Sequence, residues 1–528
     1  MKAFPFNNRY LTLGNAFYVK TNPAPVANPT LIKLNEELAE TLGLLATDLN
    51  STNGAAIFSG NVIPEGAEPI AMAYAGHQFG GFNPQLGDGR AILLGELDTP
   101  DARHFDLQLK GSGRTAYSRG GDGRAALGPV LREYLLSEAM FKLGVPTTRA
   151  LAIVTTGEDV VRDRLLPGGI ITRISLSFIR VGTFQYFSAK GDVEAVKKLA
   201  DFAIERLYPQ AQDAENPYIA FLQRVVDRQA ALITQWMALG FIHGVMNTDN
   251  MSIAGETIDY GPCAFMDTFD HDQVFSSIDR RGRYAYSNQP SIGLWDLTRL
   301  AECLLPLLAD ATDDTTDDTS DVATEVAKTI LQRYIEASHK NWLAAMRAKC
   351  GLSTVSLEDS ASNAAELINA DKTLIEELFD IMAANNADFS LTFFHLSRLS
   401  MHKAKSPLQA EPAAEYDKAT LHERACSDLF DKPAQLDDWL VKWRQRLKIE
   451  TLSDEQRQAN MQAVNPVYIP RNHQIEAAVR AAEDHNDFSV FRELHEVLQN
   501  PFVVQQGKDR FMLPPEPDEV VMETFCGT

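Results

Sequence analysis

The sequence predicts an α+β chain of two lobes, a small sheet lobe with one helix and a large helical lobe with a C-terminal helical extension. Residues from about 55 to 185 are dense in glycine turns and short apolar runs, and from about 190 onward helix-forming stretches dominate. A single helical stretch interrupts the sheet half. Pro129 sits in its first turn, Leu131 and Leu135 lie along one side, and Gly144 and Pro146 stop it.

Each element has a local reason. Ala91 to Gly95, Phe105 to Lys110, Ala150 to Thr155 and Gly169 to Ser175 read as strands. Thr156 to Asp159 and Pro167 to Gly169 read as turns between them. Asp192 to Leu207, Pro217 to Gly240, Leu294 to Leu308 and Asp321 to Lys349 read as helices, with several more toward the end. The expected boundaries are 1–185 for the sheet lobe, 186–455 for the helical lobe, and 456–528 for a C-terminal segment packing on the helical lobe. Asp310 to Asp321 holds six aspartates among threonines and alanines but lacks the glycine and final glutamate of a calcium loop, so it reads as a solvated connector.

Composition narrows the function classes. A formal charge of −22 over 528 residues speaks against nucleic acid held on a basic surface. The five cysteines (Cys263, Cys303, Cys350, Cys426, Cys526) are scattered, with no zinc spacing, as expected of a reducing cytoplasm. The start lacks a signal-peptide core, and no apolar run is long enough to span a membrane. The expectation is a cytoplasmic protein with no membrane or nucleic-acid partner.

The richest stretch runs from His243 through Asn250 to Asp259-Tyr260-Gly261. Met251 to Ala254 and Thr257 to Asp259 read as a short hairpin about Gly255-Glu256. Such a hairpin would set Asn250 beside Asp259, an amide oxygen and a carboxylate suited to Mg²⁺ or Mn²⁺ on a substrate phosphate. Protein kinases use this device, with His-Arg-Asp, an asparagine five residues on, a hairpin and a metal-binding aspartate. On that pattern His243, Asn250 and Asp259 fall in place, and Val245 stands where the catalytic aspartate should be. With the two-lobe layout, this predicts a protein-kinase-like bilobal fold.

In Asp106 to Lys110, Leu107 and Leu109 point to one sheet face and Lys110 to the other. Glu133 is its candidate partner, because Val130, Leu136 and Met140 place that carboxylate on a buriable helix face. The bland alternative is a surface lysine and an unrelated glutamate. Three glycine turns, Gly87 to Arg90, Gly111 to Arg114 and Gly120 to Arg124, each carry an arginine, as a phosphate cradle would. Hairpins need glycine too, and Arg173 and Arg180 could be surface residues.

Several of these segments resemble the selenoprotein O family, kinase-like proteins often called pseudokinases. The resemblance rests on Tyr74 to Gly80, Leu86 to Ala91, Leu109 to Thr115, Gly121 to Ala125, His243 to Met251 and Asp259 to Pro262, and is strongest from about 70 to 300. It implies AMP transfer from ATP to Ser, Thr or Tyr hydroxyls of other proteins, with ATP reversed in the cleft. Gly87, Gly89, Arg90, Lys110, Asp122, Gly123, Arg173, Arg180 and Asp259 would hold nucleotide, and Glu133 would orient Lys110. Asn250 and Asp259 would hold the metal. Asp249 would accept the proton, as a carboxylate near its ordinary pKa.

One departure concerns redox control. The resemblance implies a C-terminal cysteine, here Cys526, paired with a cysteine after Asp259-Tyr260-Gly261, but Phe275 falls at the partner position and Cys263 is the nearest cysteine. UMP transfer from UTP, γ-phosphate transfer by an ordinary kinase, and a silent nucleotide-binding scaffold remain the alternative readings.

Overall fold

The computed structural model describes residues 4–309, 318–353, 362–402 and 418–524. Residues 310–317 of the aspartate tract, and Cys526, lie outside these. The chain is mixed α+β, a smaller antiparallel sheet region followed by a larger, mostly helical one.

The strands are β1 (Tyr18–Lys20), β2 (Thr30–Leu34), β3 (Ile70–Met72), β4 (Gly76–Gln78), β5 (Gly81–Asn83), β6 (Ala91–Asp98), β7 (His104–Lys110), β8 (Ala125–Ala126), β9 (Arg149–Val161), β10 (Leu165–Ser175), β11 (Phe241–Ile242) and β12 (Ala264–Phe265). The main sheet runs β1-β3-β6-β7-β10-β9-β2, with β8 added on β10. All its pairs are antiparallel. β4 and β5 form a separate hairpin.

Both sheet faces are covered. Short helices α1 (Glu36–Thr41), α2 (Ala46–Leu49) and α3 (Thr52–Phe58) close one face, packing Leu38, Ile57 and Phe58 with Leu107, Leu109, Ile170 and Ile174. The other face meets α4 (Leu127–Lys142). Alternation along β7 and β10 therefore turns Lys110 and Arg173 away from the first cluster and toward α4.

Three expectations for the sheet region need correction. It carries α1–α3 besides α4, because residues 36–58 form three short helices capped in part by Asn35 and Ser51. Thr156 to Asp159 is strand, not turn: β10 offers a continuing ladder, Val160 opposite Leu166 and Asp159 opposite Pro167, and the chain reverses at Arg162 to Arg164 instead. Pro167 to Gly169 is likewise inside β10, where it makes a register shift.

The helical region comprises α5 (Val181–Ser188), α6 (Val193–Leu207), α7 (Pro217–Leu239), α8 (Gln289–Ala309), α9 (Asp318–Lys349), α10 (Ser362–Ala384), α11 (Phe389–Leu396), α12 (Lys418–Ser427), α13 (Pro433–Leu447), α14 (Asp454–Gln462), α15 (Asn472–His485) and α16 (Ser489–Leu498). The four helices expected between 192 and 349 are all present. α7 shows why its ends fall where they do: Asn216 caps the first turn, Pro217 starts it, and Gly240 closes it left-handed. α7, α8 and α9 pack on one another, and α15 and α16 lie against α4. Among the described residues no helix is long and apolar enough to cross a membrane.

Candidate active site

Lys110 ends β7 and Glu133 lies on α4, and both are buried. Lys110 Nζ donates to Glu133 Oε2 at 2.8 Å and to Asp259 Oδ1 at 2.7 Å. Arg173, on the neighbouring strand β10, donates to Glu133 Oε1 and, at 3.0 Å, to Asp259 Oδ1. Two cations thus share two carboxylates drawn from four separate segments. Burial pushes the Glu133 carboxyl up, but Arg173 and Lys110 outweigh it and hold the group below its ordinary value. Asp259 is held well below the carboxylate range, burial being overcome by Lys110, Arg173 and Arg90. The backbone of Asp259 is left-handed, at φ 62°, a conformation aspartate tolerates better than most residues.

The residues from Met251 to Asp259 do not form the expected hairpin. Ser252 bridges antiparallel to Arg180, and Thr257 bridges parallel to Thr147. Each half finds backbone partners elsewhere: Val181 N–H donates to Met251 O at 3.0 Å, and Thr257 N–H donates to Pro146 O at 2.9 Å. Coupling between the loop and Asp259 comes from His243 instead. Its Nδ1 accepts from Val245 N–H at 3.3 Å, so Nε2–H donates to Ile258 O at 2.9 Å. Asn250 anchors its amide by donating to Val245 O at 3.0 Å, which leaves the amide oxygen as its ligand atom.

Asp249 is buried and unevenly satisfied. Gln78 Nε2 donates to its Oδ2 at 3.2 Å, and no group among the described residues donates to its buried Oδ1. Burial pushes its pKa up to about 6, against the attraction of Arg180 and Gln78. It is therefore a stronger base than the ordinary carboxylate the sequence suggested. The β4–β5 hairpin makes this environment: His77 N–H donates to Thr248 Oγ1 at 2.7 Å and Phe79 N–H to Asn247 Oδ1 at 3.1 Å. A Cβ at Gly76 would stand 2.5 Å from Asp249 Oδ1, so only glycine admits this approach. Gly182, at the start of α5, is similar, with a Cβ falling 2.1 Å from Ala75 O.

The remaining expected residues divide. Arg180, buried before α5, lies 3.7 Å from Asp88 Oδ1 and over the Tyr74 ring at 4.4 Å. Gly87 is left-handed at φ 72°, and a Cβ there would lie 2.3 Å from the Tyr117 ring. Gly89 and Arg90 follow just before β6, with Arg90 adding to the positive field on Asp259. Gly123 is buried in the loop closed by Gly113 N–H on Gly123 O at 3.0 Å. Asp122 is exposed and engages Arg162 at 2.8 Å and Arg124 N–H at 2.9 Å. Sequence reasoning missed three participants. Gln78 and Asp88 lay inside quoted motifs but gave no chemical signal alone. Arg132, beside Glu133, contacts Gly261 O at 3.3 Å and looked like any helix arginine.

An implied divalent ion would meet hard oxygen donors, the Asn250 amide and the Asp259 carboxylate, which fit Mg²⁺ or Mn²⁺ and would suit neither zinc nor copper. No group of three or more His, Cys, Asp or Glu among the described residues could hold a metal by itself, so water and substrate oxygens would complete such a shell.

A buried lysine–glutamate pair, buried arginines and oxygen donors beside an acidic loop make a site suited to a nucleotide's phosphates, and comparison with known proteins gives the class, a nucleotidyltransferase. The sequence model of the family described as Protein adenylyltransferase SelO matches residues 1–499. Protein nucleotidyltransferase YdiU of Rhodopseudomonas palustris (strain BisB5) is 55% identical over 525 residues, 99% of each chain. The YdiU proteins of Rhizobium johnstonii and Bradyrhizobium sp. (strain BTAi1 / ATCC BAA-1182) are each 52% identical, over 526 and 525 residues, covering 98–100% of each chain. The chain belongs to the SelO family of protein adenylyltransferases.

Proposed function

We propose that this chain has the bilobal layout of protein kinases and transfers AMP from ATP to Ser, Thr or Tyr hydroxyls of other cytoplasmic proteins. Residues 1–185 form the nucleotide-binding sheet lobe, 186–455 the helical lobe with the catalytic loop, and 456–528 a C-terminal segment. The observation that carries the reading is the assembled Lys110–Glu133–Arg173–Asp259 cluster beside an acid at 249 rather than 245. A dead scaffold has no evident need for that cluster.

In this reading Lys110, Arg90, Arg173 and Arg180 neutralise the phosphates, the glycine turns at Gly87, Gly89 and Gly123 let the backbone approach them, and Asp122 serves the nucleotide as a hydrogen-bond acceptor. Glu133 keeps Lys110 extended. Asn250 and Asp259 hold Mg²⁺ or Mn²⁺, which when bound supplies charge neutralisation at the reacting phosphate. Asp249 takes the proton as the acceptor oxygen bonds to the α-phosphorus, and the bond to the bridging oxygen breaks to release pyrophosphate. Positioning and electrostatics supply most of the rate, as in phosphoryl transfer generally. UTP would be handled by the same groups.

Incubation with ATP labelled separately at the α- and γ-phosphates, followed by intact mass of the modified protein, tests this. Label from the α-phosphate with an added AMP is expected. Label from the γ-phosphate alone would make the protein a kinase, and tight nucleotide binding without transfer would make it a scaffold.

A further inference from the structure

The helix that carries Glu133 is also gripped through the residue just before it. Buried Arg132, the residue before Glu133, donates from Nη2 to Cys263 O and, at 2.7 Å, to Asn472 Oδ1, and from Nε to Gly261 O at 3.3 Å. One guanidinium thereby joins α4, the chain just past Asp259, and the first residue of α15. Four residues earlier, Gly128 N–H donates to Glu483 Oε1 of α15 at 2.8 Å. The start of α15 is itself pinned to the helical region by Arg471, which pairs with Asp388 at 2.7 Å and with Asp267.

Successive helix residues point about 100° apart, so Arg132 and Glu133 face different neighbours from one rigid rod. Whatever fixes the arginine fixes the azimuth and height of the glutamate. Since Arg132 also holds the carbonyls after Asp259, the same contact sets the distance between Glu133 and Asp259, the two carboxylates that share Lys110.

We propose that Arg132 is a positioning residue, and that α15 and α16 are a built-in brace that holds α4, and with it Glu133, against Lys110. The site is then assembled without a second protein to push the helix in. This rests on the transferase reading only where activity is measured.

Three variants of the full chain test it. Asn472→Ala removes the acceptor for Arg132. Asn472→Asp keeps an acceptor and places a carboxylate in the first turn of a helix, where it is favoured. Gly128→Ala puts a methyl 2.7 Å from both Glu483 Oε1 and Val479 Cγ1, forcing these two side chains of α15 off their contact with α4 without touching Arg132 or the site. Asn472→Ala and Gly128→Ala should speed amide hydrogen exchange in α4 of the nucleotide-free protein. They should also lower kcat about tenfold, the scale of one hydrogen bond to a charged group, with KM for the acceptor unchanged. Asn472→Asp should match the parent in both. A purely structural contact would lower Tm in the variants and leave kcat intact below the transition.

The proposal is overturned if Asn472→Ala and Gly128→Ala both keep parental α4 exchange, or if Asn472→Asp fails as badly as Asn472→Ala. If the parent transfers no nucleotide at all, the transferase reading falls, and hydrogen exchange still decides the brace.

Discussion

Asp259→Asn is the sharpest perturbation the site offers. Asparagine tolerates the left-handed backbone of Asp259, so the change removes charge with little strain, whereas alanine would add a conformational cost of about 1 kcal/mol. The lost carboxylate faces Lys110 at 2.7 Å and Arg173 at 3.0 Å. At 2.7 Å and an effective dielectric constant of about 20, one such attraction is about 6 kcal/mol before desolvation. Most of that is offset by the cost of burying the ions, leaving a net destabilisation of about 1–3 kcal/mol. Turnover should suffer more, by at least about a hundredfold, the scale for one preorganised electrostatic group. The assay is transfer of α-phosphate label at saturating ATP and Mg²⁺, with calorimetric titration of metal–ATP and a melting curve on the same sample. Transfer should collapse and metal-dependent ATP affinity should weaken, with the fold retained. Near-normal turnover in a folded Asp259→Asn protein would refute the assignment of Asp259 and, with it, the kinase-like reading of the site.

Three further outcomes are expected. Asp249→Ala should abolish transfer while leaving ATP binding, measured by calorimetry, largely intact; lost binding would move Asp249 from proton acceptor to nucleotide ligand. Glu256 is buried, its pKa raised by burial to about 7, and its side chain accepts from Ser175 Oγ and Leu176 N–H. Because the folded value lies above the unfolded 4.5, this group's contribution is whole below about pH 4.5 and is lost as pH rises through about 7. Glu256→Gln should thus melt higher than the parent at pH 8, by up to about 3 kcal/mol, and converge with it near pH 4.5; equal melting at pH 8 would deny the shift. Cys526→Ser, and reductant on the parent, should change activity little, since Cys263 is buried and Phe275 is no partner; a stoichiometric Cys263–Cys526 bridge in non-reducing peptide maps would contradict this.

Lys110 and Glu133 were legible because each obeys a local period, one on a strand of alternating leucines, the other on an apolar helix face. That both serve one site with Asp259 was suggested by motif order, whereas the direct contact of Lys110 with Asp259 is seen only in the structure. The route of the chain to Asp259 was not legible. A nine-residue stretch with a central Gly255 looks like a hairpin whatever its surroundings, and only tertiary partners at Pro146 and Arg180 show its two halves pairing outward. Thr156 to Asp159 erred for the same reason, since β10 overrode turn-forming residues. The role of Gln78 depends on a contact 171 positions away, and that of Arg132 on one 340 positions away, beyond any periodicity.

The tight nesting of Gly76 on Asp249 and of Gly182 on Ala75 has a consequence for how this protein can change. Neither glycine has a functional group, yet a single methyl at either would force backbone or the acidic loop aside. A saturation scan should therefore show two silent-looking positions as intolerant as Lys110 itself. Variation in such an enzyme is channelled away from these two contacts and into the exposed turn of the β4–β5 hairpin, where Phe79 and Phe82 reach water and could be exchanged without rebuilding the machinery beneath.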